Sequence, residues 1–216
     1  MESVVLASSS PRRREWLSSR LSVMEIGLKF YSIAEAEPGP IYGMEVGRQT
    51  EEICLQKAKN AILEHGLTNL EDRTIVVADT LIEDPDDEML PMGKPIGPIE
   101  AAAMLMRLSG SRHRVWSSTA IARPKEGILG KKMQNGMKTI EGWGVGIWTD
   151  YSIVEFADIG EEGVARLVKG GSWIGKAGGY DLAGEASEFL TLVEGEEVTV
   201  LGFSPKAIHC LVEMFG

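Results

Sequence analysis

The sequence predicts an α/β fold, and three observations carry that reading. Apolar runs of strand length lie at residues 4–7, 29–33, 74–78 and 115–122, helical periodicity fills 12–20, 51–64 and 99–108, and helix-boundary residues punctuate the joins. The first strand, from Val4 to Ala7, leads to Ser10, a favourable N-cap, and Pro11, whose missing N–H costs nothing at the first helical position. Thr50 with Glu51 and Glu52 marks the start of the second helix, which stops near His65 and Gly66. Pro98 opens the third helix, and Ser109-Gly110 suits its end.

The second half is less regular. Residues 124–146 are rich in glycine and lysine and read as an exposed β excursion, while 147–156 alternates as strands joined by a turn around Asp150. A helix is expected over 160–169, strands near 188–193 and 198–201, and a last helix from Pro205 to Phe215. No internal repeat and no Pro- or Ser-rich linker interrupts the chain, so residues 1–216 are expected to form one two-lobed unit.

At 216 residues and 44% hydrophobic content, the chain can bury a substantial core. No run approaches the roughly eighteen apolar residues of a membrane span, and no signal-peptide pattern is present, so a cytoplasmic protein without a membrane partner is expected. Cys54 and Cys210 are expected to be separate buried thiols. A net charge of −10 argues against a nucleic-acid polymer as partner but leaves room for a small phosphorylated ligand.

The segment Leu6-Ala7-Ser8-Ser9-Ser10-Pro11-Arg12-Arg13-Arg14 loads a strand-to-helix junction with hydroxyls and cations. Free N–H groups and the positive end of the helix dipole favour an anion there, which makes Ser8, Ser10, Arg12 and Arg13 candidate phosphate ligands. A capped helix with solvated arginines is the alternative that generic physics leaves open. Three consecutive arginines lie about 100 degrees apart around a helix, so they cannot all face one ligand, and Arg14 is expected to point away.

Asp79 follows the run Ile75-Val76-Val77-Ala78, placing an ionisable group where a buried strand leaves its sheet, with the Thr80 hydroxyl beside it. Open α/β sheets bind ligands at such a position, although a turn-initiating aspartate would look the same. Lys94, between Gly93 and Pro95, suits a phosphate contact or a surface turn; Lys57 and Lys59 share a helix, and at most one faces a given direction. Glycines at 175, 178, 179 and 184 surround Lys176, Tyr180, Asp181 and Ala183, allowing backbone to approach a ligand or making a tight connection. Neither a dinucleotide fingerprint nor a Walker A pattern is present. His65, His113 and His209 read as structural or surface residues, residues 83–88 as a solvated acidic turn, and Met104, Met106, Trp143 and Trp148 as packing residues.

In their order along the chain these segments resemble the Maf (septum-formation) family of nucleoside triphosphate pyrophosphatases. The resemblance rests on residues 6–13, Lys57-Ala58, Ala78-Asp79-Thr80, Gly93-Lys94-Pro95, Leu108-Ser109-Gly110 with His113, Lys176 through Tyr180, Gly184 and Val200-Leu201-Gly202. It implies a long mixed, twisted sheet flanked by helices around a central cleft, as in inosine triphosphatase-like folds, and a homodimer. It also implies hydrolysis of a nucleoside triphosphate to monophosphate and pyrophosphate with a divalent metal, Mg2+ or else Mn2+. By that resemblance Asp79 is proton acceptor, metal ligand or both, and Glu37, or alternatively Glu35, is a second carboxylate. Arg12, Arg13, Lys57 and Lys94 would neutralise the leaving pyrophosphate, and Ser8 and Ser10 would donate hydrogen bonds to phosphate oxygens.

Two positions depart from the family pattern. Members selective for dTTP and UTP resemble this chain at Arg12 and Thr80 but carry glutamine where Ala183 stands, and Asp181 occupies a usually small or neutral position. An ionised carboxylate only accepts hydrogen bonds, so Asp181 is expected to favour bases with exocyclic amino groups. The implied role is nucleotide-pool housecleaning. A nucleotide-binding regulator without efficient hydrolysis is the rival, and a pure interaction module explains neither the Ser/Arg junction nor the glycines. Residues 124–148 exceed the family's usual length there and read as a shield for the cleft, a dimer contact or a plain hairpin.

Overall fold

The computed structural model describes residues 3–34, 39, 41, 43–66, 74–124, 137–182 and 184–215. In chain order the elements are β1 (Ser3–Ala7), α1 (Pro11–Ser22), β2 (Gly27–Tyr31), α2 (Val46–Ala61), β3 (Thr74–Asp84), β4 (Asp87–Met92) and α3 (Pro98–Leu108). They continue with β5 (Arg112–Pro124), β6 (Lys138–Ile140), β7 (Trp143–Phe156), α4 (Gly160–Gly170), β8 (Leu190–Glu194), α5 (Glu197–Leu201) and α6 (Pro205–Phe215). The strands form one mixed sheet in the order β2-β1-β3-β5-β7-β6, with β4 added to β3 and β8 to β7. The expected α/β class, with a long mixed sheet flanked by helices, is therefore observed.

Three long strands carry the architecture. β5 and β7 pair antiparallel from Arg112 opposite Glu155 to Pro124 opposite Trp143, a ladder about 40 Å long at the usual strand rise. At one end of the sheet, side chains alternate between two helical layers. Val4, Leu6, Val76 and Ala78 pack with Leu17 and Leu21 of α1 and Leu211 of α6, whereas Val5, Ala7, Ile75 and Val77 pack under Cys54, Ala58 and Ala61 of α2. At the other end, Ile82, Val115, Val154 and Phe156 pack with Leu105 and Leu108 of α3 and Val164 and Leu167 of α4.

Several boundaries differ from the sequence reading, each for an identifiable reason. No turn occurs at Asp150, because β7 is continuous and Asp150 sits opposite Ser117, its carboxylate held by Lys206 and by the Ser204 hydroxyl. Residues 198–201 belong to the short helix α5 rather than a strand. Gly202 (φ +115°) ends that helix, with its N–H on the Val198 and Thr199 carbonyls. α2 begins at Val46 behind Glu45, and Thr50, expected as a cap, is interior, its hydroxyl donating to the Val46 carbonyl at 2.7 Å. The acidic run is not a solvated turn throughout. β3 extends to Asp84, where Arg107 binds the buried carboxylate through Nε and Nη2 at 2.8 and 2.6 Å, and Glu83 accepts from Arg114 and Trp116. The excursion after Pro124 returns as β6, joined to β7 through Glu141 and Gly142, both at positive φ as a two-residue hairpin requires; residues 125–136 lie outside the described set. Cys54 is buried and Cys210 half-buried, and both are free thiols.

His113, read as a structural or surface residue, is buried with its Nε2 2.7 Å from the Tyr180 hydroxyl. Burial pushes its pKa down from 6.5 to about 4. Between those values the unfolded chain binds a proton that the folded state does not, so this contribution is complete above pH 6.5 and is lost as pH falls to 4. Urea unfolding is expected to show a loss on the order of 3 kcal/mol across that window, absent from His113→Gln. Asp84, whose pKa the hydrogen bond from Arg107 lowers below 3.8, acts only in more acid solution.

Candidate active site

The site arises where the sheet has a gap. β1 pairs with β3 only from Val4 opposite Thr74 to Leu6 opposite Val76, and β4 joins the same edge at Ile82. Since β5 holds the other edge from Ile75 to Ile82, residues 77–81 of β3 have no strand on the β1 side. A cleft of about 860 Å³ opens there, between the Ser8–Arg13 junction, α2, the loop at Lys94 and the glycine-rich segment at Lys176. Asp79 is therefore not at a strand end as expected. The crevice comes from the end of β1, and β3 runs on past it.

Strand alternation distributes the reactive side chains. Ile75 and Val77 lie under α2, and Asp79 continues that face, where Lys57 Nζ donates to its Oδ1 at 2.6 Å. Asp79 is 7% exposed, and among the described residues its Oδ2 takes no hydrogen bond. Thr80 falls on the α1 face. There Arg13 donates from Nη2 to Thr80 Oγ1 at 2.8 Å, from Nη1 to the Ala78 carbonyl at 2.8 Å and from Nε to the Gly202 carbonyl at 3.0 Å. A Cβ at Gly202 would stand 2.5 Å from Arg13 Nε, so the clamp needs glycine there. The Ser117 hydroxyl donates to the Thr199 carbonyl, so the Thr80 proton goes to Ser117 Oγ, 2.8 Å away.

Arg13 and Thr80 thus reach the cleft wall but are committed to the protein's own acceptors. Ser10 takes the N-cap position with extended backbone, yet its hydroxyl makes no capping bond, and no acidic residue occupies the first turn of α1. That arrangement leaves the helix start without a counter-anion beside the cleft. Arg14 turns away as expected, donating to the Ser8 carbonyl and Ser32 and lying over the Phe30 ring. On α2, Ile53, Lys57 and Asn60 share the face that lines the cleft, whereas Lys59 is exposed. Lys94 lines the opposite wall, tied to the glycine-rich segment by the Gly178 N–H donating to the Gly93 carbonyl at 3.0 Å.

Asp181 is engaged within the protein. Arg12 Nη1 lies 2.9 Å from its Oδ1 and Lys176 Nζ 2.6 Å from its Oδ2, so both oxygens hold cations. It gathers two cations of the cleft, a pairing that the sequence reading did not include. Ala183, Glu35 and Glu37 lie outside the described residues. Tyr180 of the glycine-rich segment lines the cleft, and Glu100 and Asn60, which escaped the sequence reading, line it too. Of those two, only Asn60 had a signal, its spacing from Ile53 and Lys57 on one helix face.

The charge of the cleft opposes that of the chain. Its described lining carries Arg12, Arg13, Lys57, Lys94 and Lys176 against the carboxylates of Asp79 and Glu100, whereas the whole chain has a net charge of −10. Cys54 lies beneath Asp79 on α2, and burial, aided by the Asp79 charge, pushes its thiol up to about 12, so it is no nucleophile at neutral pH. No group of three or more metal-ligating side chains occurs among the described residues. A single carboxylate such as Asp79 still suits a hard cation that takes its remaining oxygens from phosphates and water.

A family model for Maf-like proteins matches residues 3–215. The chain belongs to the Maf-like family. A dTTP/UTP pyrophosphatase from Pyrococcus abyssi (strain GE5 / Orsay) is 31% identical over 98% of this chain and 95% of its own length. Another, from Pelotomaculum thermopropionicum, is 30% identical over 100% and 98%. A solved HAM1 protein from Coxiella burnetii is 15% identical and covers 73% of this chain and 74% of its own, with a TM-score of 0.44, too distant to bear on the site. No described helix of this Maf-like protein is long and apolar enough to cross a membrane.

Because the Arg13 fork replaces strand pairing on β3, Arg13→Lys is expected to cost about 2 kcal/mol in urea unfolding, since an ammonium cannot span three acceptors. An unchanged midpoint would show that the clamp carries no stability.

Proposed function

We propose that this Maf-like protein is a nucleoside triphosphate pyrophosphatase that hydrolyses its substrate to the monophosphate and pyrophosphate in nucleotide-pool housecleaning. One observation carries the proposal: an acidic chain concentrates five cations around Asp79 in one cleft, the pattern a triphosphate needs and a neutral substrate does not. The names of the relatives support it and make UTP and dTTP the first substrates to try. A homodimer and a cytoplasmic location belong to the same proposal.

Lys94, Lys176 and Arg12 meet the phosphate oxygens, aided by the uncapped start of α1. Lys57 fixes Asp79 through Oδ1, so that Oδ2 is the oxygen available to the reacting water. The water oxygen bonds to the α-phosphorus, its proton passes to Asp79 Oδ2, and the bond to the bridging oxygen breaks with its electron pair leaving on pyrophosphate. Cations already in place stabilise that charge as it grows, without reorganisation. Asp79 would hold a divalent cation, Mg2+ by preference, which when bound supplies further charge neutralisation at the phosphates.

The test is product analysis with UTP, dTTP, CTP and ATP in the presence of Mg2+ or Mn2+. Monophosphate and pyrophosphate are expected, and EDTA is expected to stop their release. Asp79→Asn is expected to lower kcat by about 10²- to 10⁴-fold while thermal stabilisation by the nucleotide persists. Release of orthophosphate would move the cleavage site, and nucleotide binding without turnover would make the protein a regulator.

A further inference from the structure

The cleft carries an apolar feature that phosphate binding does not use. Ile96 is 97% exposed and Ile174 66% exposed, although they come from different segments and both line the same cleft. Single exposed isoleucines need no explanation, but these two are held by defined backbone. Ile96 follows the buried Pro95, and its N–H donates to Glu100 Oε2 at 2.8 Å just before α3 begins. Ile174 sits in the turn between Gly171 and Gly175, both at positive φ, with its N–H on the Gly171 carbonyl at 3.2 Å. Each isoleucine is two residues from a lysine of the same lining, Lys94 for Ile96 and Lys176 for Ile174.

We propose that Ile96 and Ile174 are jaws that take the two faces of the nucleobase at the cleft mouth, a reading that rests on the nucleoside triphosphate substrate proposed above. That substrate has the matching chemistry, a polyanionic tail for the two lysines and a flat ring with weakly polar faces for the isoleucines. An aliphatic side chain on a ring face does not read the hydrogen-bonding edge, so the jaws grip all bases alike. Ile99, 86% exposed at the second residue of α3 but outside the cleft lining, is the internal control.

The experiment measures affinities for UTP, CTP, ATP and GTP by calorimetry with Mg2+, and for inorganic tripolyphosphate, alongside pyrophosphate release. The double variant Ile96→Ser/Ile174→Ser is expected to bind all four nucleotides about tenfold more weakly and tripolyphosphate within about twofold of wild type. Ile99→Ser and the conservative pair Ile96→Val/Ile174→Val are expected to stay within about twofold for every ligand. Unchanged UTP affinity in the double variant, or an equal loss for tripolyphosphate, overturns the jaws. A wild type that binds UTP through the isoleucines without releasing pyrophosphate removes the pyrophosphatase reading and keeps the jaws. Failure of the wild type to bind any nucleotide removes both.

Discussion

β1 is five residues long and its partner β3 is eleven, and the rest of the site depends on that mismatch. An unpaired strand edge presents backbone groups that must find partners elsewhere, or it becomes a place for another chain to add. Here a side chain does part of what a strand would do. Arg13, brought in from the helix that follows β1, donates to the Ala78 carbonyl and reaches on to Gly202 and Thr80. The guanidinium suits this task because its donors are fixed in one plane and stay charged. A gap that would otherwise be a weakness of the sheet is thereby kept open as a cleft.

Electrostatics then separates the cations that build the cleft from those that face its contents. Taking a charge out of water is costly unless a partner compensates it, and each partly buried cation described here has one. Lys57 is on Asp79, and Arg12 and Lys176 share Asp181. Asp181 joins a residue of the first helix to the glycine-rich segment at Lys176, so these two sides of the cleft are fixed against each other. The carboxylate read in the sequence as a base contact is, in three dimensions, also the group that sets where Arg12 and Lys176 stand.

The fold was legible where one physical rule governed a segment. Pro11 and Pro98 marked helix starts, and the apolar runs marked β1, β3 and β5, because buried strands flanked by turn residues admit few other readings. The sequence misled where a local preference was overruled by a distant partner. Asp150 resembles a turn residue until Ser204 and Lys206 bind it, and Glu83 and Asp84 resemble a solvated loop until Arg107 and Arg114 cover them. The site was legible as a set of residue types, since Asp79, Lys57, Lys94 and the Ser/Arg junction do converge. It was not legible as a set of roles. Whether an arginine faces a ligand or its own backbone depends on partners up to 189 positions away, as for Arg13 and Gly202.

The glycine-rich wall shows how the two sides of the cleft mouth keep their spacing. A backbone hydrogen bond from Gly178 to Gly93 ties the Lys176 segment to the Lys94 loop. Gly178 has φ +65°, and a Cβ there would lie 2.4 Å from Ile82 Cδ1, so the contact demands glycine for both conformation and space. Side chains can shift by rotamer, but a backbone pair at 3.0 Å cannot open without breaking. Lys94 with Ile96 and Lys176 with Ile174 are therefore displayed from two segments fixed to each other at one point. The separation of the two lysines and that of the two isoleucines are set together, by main chain.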